Sequence, residues 1–311
     1  MRTAFVNKLM ELASKDERIV LITGDMGFPM FDEFKKLYPD RYYNMGIAEQ
    51  NMIGVAAGLA MRGKKPYVYS IIPFLIMRSY EQVRVDICYH NLDIKLIGSG
   101  GGVASGHAGA THHAIEDLSL MRGLPNMDVI SPGDPYEAKN ALQKSYENNN
   151  PTYIRLSKNN EPMLHSNLKD ENFKIGKSIC MKEGKNIAIL ATGNILEQAQ
   201  NISNKLENMK INNALYSFHT IKPIDKERLL EIYMNFKYIV VLEEHTIHGG
   251  LYSSIMEEYG KGDLNSYTTE KILSISINDV FSHHIGSQEN LRKFFEIDEE
   301  SVISKIYKMI T

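Results

Sequence analysis

Short apolar segments that suit buried strands alternate with longer segments whose apolar positions follow a helical period. In the first half of the chain, the predicted strands are 18–23, 65–70, 94–98, 127–131 and 152–156. The predicted helices that accompany them are 3–14, 49–61, 74–89, 114–122 and 135–147. Buried strands that alternate with helices are typical of a mostly parallel sheet with helices on both faces. The pattern therefore predicts an α/β fold.

A polar stretch from Lys158 to Asn172 interrupts this pattern and is predicted to be a linker. A chain of 311 residues is also longer than the usual single domain. The strand-like pattern then returns in four segments, 186–191, 213–217, 238–242 and 272–276. We predict two α/β domains, 1–165 and 175–311, each with a mostly parallel sheet flanked by helices.

The net charge, the cysteines and the histidines limit which binding partners, metal sites and cellular compartments the sequence supports. A formal net charge of −3 gives no sign of a basic surface for nucleic acid or an anionic membrane. Cys88 and Cys180 fall in different predicted domains and form no disulfide framework, which fits a reducing compartment. His245, His248 and the pair at 283–284 have no carboxylate or thiol at ligand spacing, so no metal site is predicted. Without a signal-peptide core or an apolar run of about 18 residues, the chain is expected to be a cytoplasmic protein.

Glu49 stands at the start of a predicted helix that is apolar on almost every face. Met52, Ile53, Val55 and Leu59 are among the residues that leave this helix no polar side, so we expect it to be buried. A carboxylate that enters such a helix without a partner is expensive to desolvate. Two interpretations stay open at this point. Glu49 either interacts with the helix dipole or is a buried carboxylate that binds a cofactor nitrogen.

The segment from Gly46 to Met52 resembles the signature of the pyrimidine-binding domain of transketolases and 1-deoxyxylulose-5-phosphate synthases. Segments 191–194, 219–225 and 243–251 resemble the C-terminal domain of the same family. In that family the matching glutamate hydrogen-bonds N1′ of the aminopyrimidine ring of thiamine diphosphate. The resemblance implies that Glu49 favours the imino tautomer, whose nitrogen takes the C2 proton and so generates the nucleophilic ylid.

The glycine-rich segment 106–118 resembles the Gly-x-x-Gly-Pro-Thr-His region of transketolases. It places His112 where the family has a histidine near the cofactor amino group and a substrate oxygen, a position that suits proton transfer at neutral pH. His107, in the same segment, is a second candidate for substrate binding. Asp25 matches the family aspartate that faces the active site, and a role in a turn or helix cap is an equal alternative.

The segment 69–82 resembles the region that stacks on the pyrimidine ring of the cofactor. The two aromatic positions of the family become Ile72 and Leu75 here. Phe74 is the nearby aromatic that could stack on the ring after a shift of one residue, and a core position is the alternative. Arg78, in the same segment, is included among the predicted cofactor-binding residues.

Two cations are candidate ligands for a substrate phosphate. Arg2 matches a family arginine that begins the first helix, and Lys158 stands where transketolases carry an arginine. A lysine supplies a point charge without the bidentate geometry of arginine, and both residues could equally be ordinary surface cations. Ala108 and Gly100 replace an aspartate and a histidine that contact substrate in transketolases. These changes make the ordinary pentose phosphates doubtful substrates and favour a specialised sugar.

The diphosphate half of the cofactor site has no acceptable motif in the sequence. Asp25 and Asn51 have the spacing of the Gly-Asp-Gly…Asn motif, but Met26 replaces its second glycine and Asn51 lies inside a predicted helix. We therefore expect the C-terminal subunit of a split transketolase, a transferase of ketol units between sugar phosphates or related sugars. A separate N-terminal subunit would bind the diphosphate and Mg²⁺, and the two subunits would assemble as an α2β2 heterotetramer.

Two other functions stay open. The β subunit of a 2-oxo acid dehydrogenase E1 component shares the length, the fold and the segment 48–50, but Thr111, His112 and the segment 116–118 follow the transketolase pattern. A non-catalytic interaction protein that kept the fold is the third possibility. The presence of both Glu49 and His112 argues against it.

Overall fold

A computed structural model describes residues 1–27, 29–158, 160–260 and 269–311, which form two sheets with helices packed on both faces of each. Asn159, in the predicted linker, lies outside the described residues. The strands within these ranges are β1 (Ile19–Thr23), β2 (Tyr42–Asn44), β3 (Lys65–Ile71), β4 (Lys95–Ser99), β5 (Asp128–Ile130), β6 (Thr152–Leu156), β7 (Ile179–Lys182), β8 (Ile187–Thr192), β9 (Asn213–Ser217), β10 (Thr220–Lys222), β11 (Tyr238–Thr246) and β12 (Ile272–Ile277). The helices are α1 (Arg2–Lys15), α2 (Asp32–Leu37), α3 (Glu49–Met61), α4 (Tyr80–Gln82), α5 (Asp117–Arg122), α6 (Pro135–Glu147), α7 (Leu196–Asn208), α8 (Lys226–Asn235), α9 (Leu251–Gly260), α10 (Gln288–Phe294) and α11 (Glu299–Ile310).

The first sheet has the order β10-β5-β6-β4-β3-β1-β2, and all its pairings are parallel except that of β10 with β5. Helices α1, α2 and α6 bury their apolar side chains against one face. Helices α3 and α5, with the helical turns between residues 73 and 89, cover the other face. The prediction of a mostly parallel sheet covered on both faces is confirmed.

The second sheet has the order β12-β11-β8-β9-β7, with β7 antiparallel to its neighbour. Helices α7 and α11 pack on one face, and α8 and α9 pack on the other. The apolar cluster under α8 and α9 is continuous with the one under α3 and α5. The two domains therefore share part of their hydrophobic core.

Strand β10 is a connection between the domains that the sequence pattern did not predict. It belongs to the second half of the chain, yet it pairs antiparallel with β5, with Thr220 opposite Ile130 and Lys222 opposite Val129. A strand of three residues is too short to show a periodic signal. Its partner is also about ninety residues away, so only the tertiary structure brings the two together.

Helix α3 is buried on one face only, so the prediction that it is buried on every side is wrong for this chain. Met52, Ile53 and Ala56 lie fully buried against the sheet. Gly54 is exposed on the opposite face, and Met61 is 57% exposed at the end of the helix. The first sheet covers one side of α3 and leaves an apolar surface uncovered.

Two predicted helices differ from the structure in their bounds. Helix α5 begins at Asp117 rather than at Ala114, because Ala114 uses its N–H and C=O groups in a bridge to Gly102. The helix predicted at 74–89 consists of α4 with wider helical turns on either side.

None of the helices among the described residues combines the length and the apolarity that a membrane span needs.

Candidate active site

The carboxyl edge of the first sheet collects the candidate residues of this domain. Ligands of open α/β sheets bind at this edge, where the loops after the strands meet. Asp25 follows β1, Glu49 follows β2, Phe74 and Arg78 follow β3, His107 and His112 follow β4, and Lys158 follows β6. The topology therefore places residues from five separate loops on one side of the domain.

Glu49 is the first residue of α3, and its side chain is only 2% exposed. One carboxylate oxygen, Oε2, accepts a hydrogen bond of 2.7 Å from Nη1 of Arg78. The helix N-terminus adds a favourable dipole, so both interpretations of Glu49 have a physical basis in this structure. Arg78 supplies the opposite charge that offsets the cost of burying Glu49.

Arg78 also connects Glu49 with two further candidates. Its guanidinium lies 4.7 Å from the ring centre of Phe74, which is within the range of a cation–π contact. The ring of His112 lies 5.2 Å from that of Phe74, in an edge-to-face arrangement. The structure therefore brings Glu49, Arg78, Phe74 and His112 into one connected group, although the chain separates the first and last by 63 positions.

The second oxygen of Glu49, Oε1, lies beside Gly24. A Cβ atom at Gly24 would lie 3.5 Å from Oε1 and 3.3 Å from Oγ of Ser70. No hydrogen bond to Oε1 is found among the described residues. Arg78 thus holds one oxygen of the carboxylate in place, and the other has no hydrogen-bond partner among the described residues. Sequence reasoning missed Gly24 and Ser70, since neither stands out until the two strands are placed side by side.

Asp25 is exposed and is held by Asn44, a residue that sequence reasoning did not select. Nδ2 of Asn44 donates to Oδ1 of Asp25 at 3.2 Å, and the Asp25 amide donates back to Oδ1 of Asn44 at 3.0 Å. Oδ1 of Asn44 also accepts from the Gly46 amide at 3.0 Å. Asn44 therefore ties the loop after β1 to the turn that leads into Glu49. An asparagine at a strand end before a glycine was the available signal.

Arg2 and Lys158 form a second group at the same edge. Nη2 of Arg2 donates a hydrogen bond of 2.8 Å to the carbonyl oxygen of Lys158, whose own side chain is exposed. Burial raises the pKa of the neighbouring Tyr69, and the nearby Ser99 hydroxyl and Arg2 guanidinium oppose that rise. Helix α1 lies on the sheet face opposite α3, so Arg2 approaches the edge from the side opposite that helix.

His107 lies apart from these groups. It is exposed and lines a cavity of about 680 Å³ against the second domain, where Gln198 and Arg292 are among the other lining residues. Gly100, where transketolases carry a histidine, has φ of +92°, a backbone conformation that favours glycine. A histidine at this position would require a different loop.

Two family models together cover nearly the whole chain. "Transketolase, pyrimidine binding domain" matches residues 1–163, and "Transketolase, C-terminal domain" matches residues 176–302. The chain belongs to the transketolase family.

Individual relatives agree with this assignment to the transketolase family. A Methanocaldococcus jannaschii protein, named for the C-terminal section of a transketolase, is 34% identical over 98% of this chain and 95% of its own length. A 6-deoxy-6-sulfo-D-fructose transketolase subunit from Clostridium sp. (strain MSTE9) is 31% identical over 99% of this chain and 94% of the relative. The solved structure "Split gene transketolase, inactive beta4 tetramer" has a TM-score of 0.86 and 33% identity, covering 99% of this chain and 97% of that one.

Membership of the transketolase family implies dependence on thiamine diphosphate, and the residues around Glu49 fit the pyrimidine end of that cofactor. The buried carboxylate has a free oxygen that can accept from a ring nitrogen. Gly24 adds no side chain to the space next to it. Phe74 is half-buried and presents an aromatic ring beside the same group.

The ion pair between Arg78 and Glu49 predicts a measurable effect on stability. Arg78→Met is expected to lower the free energy of unfolding by about 1–2 kcal/mol, because the buried carboxylate loses a charge-assisted hydrogen bond. Urea denaturation of the whole chain measures this difference. Arg84→Met is the matched control, since Arg84 is an exposed arginine in the following helical turn and forms no ion pair with the described residues. Equal stability of the two variants would show that the pair does not stabilise Glu49.

Proposed function

We propose that this chain is the C-terminal subunit of a thiamine-diphosphate-dependent transferase that moves a two-carbon ketol unit between sugar phosphates or related sugars. The observation that carries the proposal is the buried Glu49 carboxylate, with one oxygen held by Arg78 and the other free beside Gly24. Thiamine diphosphate, when bound, supplies a nucleophilic carbon and an electron sink. The contribution of Glu49 is to hold the pyrimidine nitrogen and to stabilise its protonated form.

His112 is proposed to move protons at a substrate oxygen. Its Nδ1 lies 3.0 Å from Oγ1 of Thr111, which sets the orientation of the ring and leaves Nε2 for the substrate. The contact with Phe74 places the imidazole next to the Glu49 group. A histidine in this position can act as general acid or base near neutral pH.

A partner subunit is proposed to bind the diphosphate and Mg²⁺ and to cover the surface beside Glu49. Ile47, two residues before Glu49, is 77% exposed, and Met61 at the other end of α3 is 57% exposed. Exposed apolar side chains next to a site are typical of protein–protein contacts. The similar proteins that are named as transketolase subunits or split transketolases support an N-terminal subunit as the occupant. We propose an α2β2 assembly of the two.

The test of this function is reconstitution with the N-terminal transketolase subunit of the same organism. Ketol transfer is measured with thiamine diphosphate and Mg²⁺, using xylulose 5-phosphate and a 6-sulfo-fructose as alternative donors. Transfer by the mixture, with neither subunit active alone, is the expected result. A mixed complex that instead decarboxylates 2-oxo acids and transfers no ketol unit would overturn the proposal in favour of an E1 component.

Arg2 and Lys158 are proposed to contact a substrate phosphate. Their loss should therefore change KM, whereas the loss of His112 should change kcat. Arg2→Ala or Lys158→Ala is expected to raise KM about tenfold for phosphorylated substrates, because a charge-assisted hydrogen bond is lost. His112→Ala is expected mainly to lower kcat. Steady-state kinetics of the reconstituted complex measures both values. An unphosphorylated donor is the control, and an equal rise of KM for it would remove the two cations from the phosphate site.

A further inference from the structure

The loop after β4 carries His112 and closes on itself before it reaches α5. Gly102 donates to the carbonyl of Ala114 at 2.9 Å, and Ala114 donates back to Gly102 at 2.8 Å. We call residues 102–114 the histidine loop. Its two ends are fixed to each other, so its position depends on what holds these ends.

Glu244, on strand β11 of the second domain, holds the first end. Its side chain is fully buried, and Oε1 accepts a hydrogen bond of 2.8 Å from the Val103 amide. Oε2 accepts from Nε of Arg292 at 2.6 Å, and Asn194 and Gln288 donate further hydrogen bonds to the carboxylate. A buried carboxylate with several donors has one fixed position, because any displacement leaves charge or donors unpaired.

The close approach of Glu244 also explains the glycine at the start of the histidine loop. Gly102 has φ of +65°, and a Cβ atom there would lie 2.3 Å from Oε1 of Glu244. No side chain fits between the loop and the carboxylate. The backbone of the loop therefore rests directly on a residue of the second domain.

The backbone of the same strand holds the other end of the loop. Nη2 of Arg155 donates to the carbonyl of Ala114 at 2.6 Å and to that of Glu244 at 3.0 Å. The Thr246 amide donates to the carbonyl of Ile115 at 2.8 Å. The first end of the histidine loop is thus bonded to the Glu244 side chain. The other end is bonded to Arg155, which also contacts the Glu244 carbonyl, and the next residue is bonded to Thr246.

We propose that Glu244 is a positioning residue, which acts from the second domain and holds the histidine loop so that His112 lies against Phe74. This inference rests on the proposed function, since it gives the second domain a part in the same active site. The carboxylate of Glu244 accepts hydrogen bonds from protein groups, so its proposed effect on catalysis is indirect. It acts through the Val103 amide, nine residues before His112.

Two variants test this inference against a matched control. Glu244→Gln keeps the size of the side chain but turns an NH₂ group toward either Arg292 or Val103, both of which are donors. Arg292→Gln removes the positive charge that pairs with Glu244, and Arg292 is less buried than Glu244. This variant replaces Glu244→Gln in the test if Glu244→Gln folds poorly. The control is Glu243→Gln. Glu243 is the equally buried neighbour on β11, and it accepts hydrogen bonds from Leu251, Tyr252 and Ser276 of its own domain.

Deuterium exchange of the full chain is the first measurement. Glu244→Gln is expected to speed amide exchange in the histidine loop by about ten- to a hundredfold, whereas Glu243→Gln leaves this segment unchanged. The NMR signals of the His112 imidazole should shift in the first variant only. Unchanged exchange and unchanged imidazole signals in both Glu244→Gln and Arg292→Gln would overturn the inference.

Kinetics of the reconstituted complex is the second measurement. Glu244→Gln is expected to lower kcat by about ten- to a hundredfold with little change in KM, because a catalytic group is displaced while phosphate contacts stay in place. Faster loop exchange without a loss of kcat would overturn the positioning role. If the wild-type complex transfers no ketol unit, the proposed function fails, and the exchange rates and imidazole signals still decide whether Glu244 positions the loop.

Discussion

Glu49→Gln is expected to lower kcat of the reconstituted complex by about three orders of magnitude, within the range for the loss of an acid–base group. Glutamine keeps the shape of the side chain but cannot stabilise a protonated ring nitrogen as a carboxylate does. Arg78 donates to one oxygen of Glu49, and the proposed ring nitrogen would donate to the other. The NH₂ group of a glutamine would face one of these two donors and could not accept its hydrogen bond. Exchange of the C2 proton of bound thiamine diphosphate, followed by NMR, measures the same loss directly.

The helix-dipole interpretation of Glu49 predicts a different result. A first-turn glutamate that only interacts with the helix dipole contributes about 0.3–1 kcal/mol to stability and nothing to turnover. Glu33→Gln is the control, because Glu33 is an exposed glutamate in the first turn of α2. A Glu49→Gln complex with wild-type kcat and C2 exchange, and a stability loss like that of Glu33→Gln, would leave Glu49 with a structural role only.

The chain alone is expected to bind thiamine diphosphate on the order of a hundredfold more weakly than the complex does, and to show no measurable turnover. In the proposed function, the group around Glu49 contacts the pyrimidine ring, whereas the diphosphate and Mg²⁺ carry most of the charge of the cofactor. In the proposed assembly, those charges are bound by the partner subunit. Titration calorimetry with and without Mg²⁺, on the chain and on the complex, measures the difference.

Tight, Mg²⁺-dependent binding by the isolated chain would contradict the split-subunit proposal. The Glu49→Gln variant of the isolated chain is the control for this experiment. If the weak binding that remains uses the pyrimidine contact, Glu49→Gln should lower the affinity further. The affinity of this variant should also no longer depend on whether the ring nitrogen can be protonated. Equal binding by both chains would place the residual affinity elsewhere on the surface.

The elements that depend on local signals were predicted well from the sequence. Helix α6 has the predicted bounds because Pro135 suits its first turn and Asp134 caps it, accepting from the Glu137 amide at 2.8 Å. Strand β6 also has the predicted bounds, since five buried residues lie between polar segments. Helix α3 begins at Glu49 as predicted. It is buried on one face only, because the apolar composition of a helix does not determine which of its sides a sheet will cover.

The elements that depend on distant pairing were not predictable from the pattern. Ala114 is excluded from α5 by its bridge to Gly102, and β10 is defined by its pairing with a strand of the other domain. Both facts concern hydrogen bonds between residues that no local period connects. The same limit applies to Asn44, whose role depends on its contacts with Asp25 and Gly46.

By itself, the sequence determined the α/β class, the two-domain order and the residue types at the site, because hydrophobic period, turn residues and family motifs are local properties. Glu49, Phe74, Arg78 and His112 were all selected in this way. The tertiary structure alone decided that Arg78 pairs with Glu49, that Gly24 leaves one carboxylate oxygen free, and that Glu244 holds the histidine loop. These contacts join residues from different loops and domains. Their energy comes from burial and charge compensation, which exist only after the loops of the first domain and the two domains have packed together.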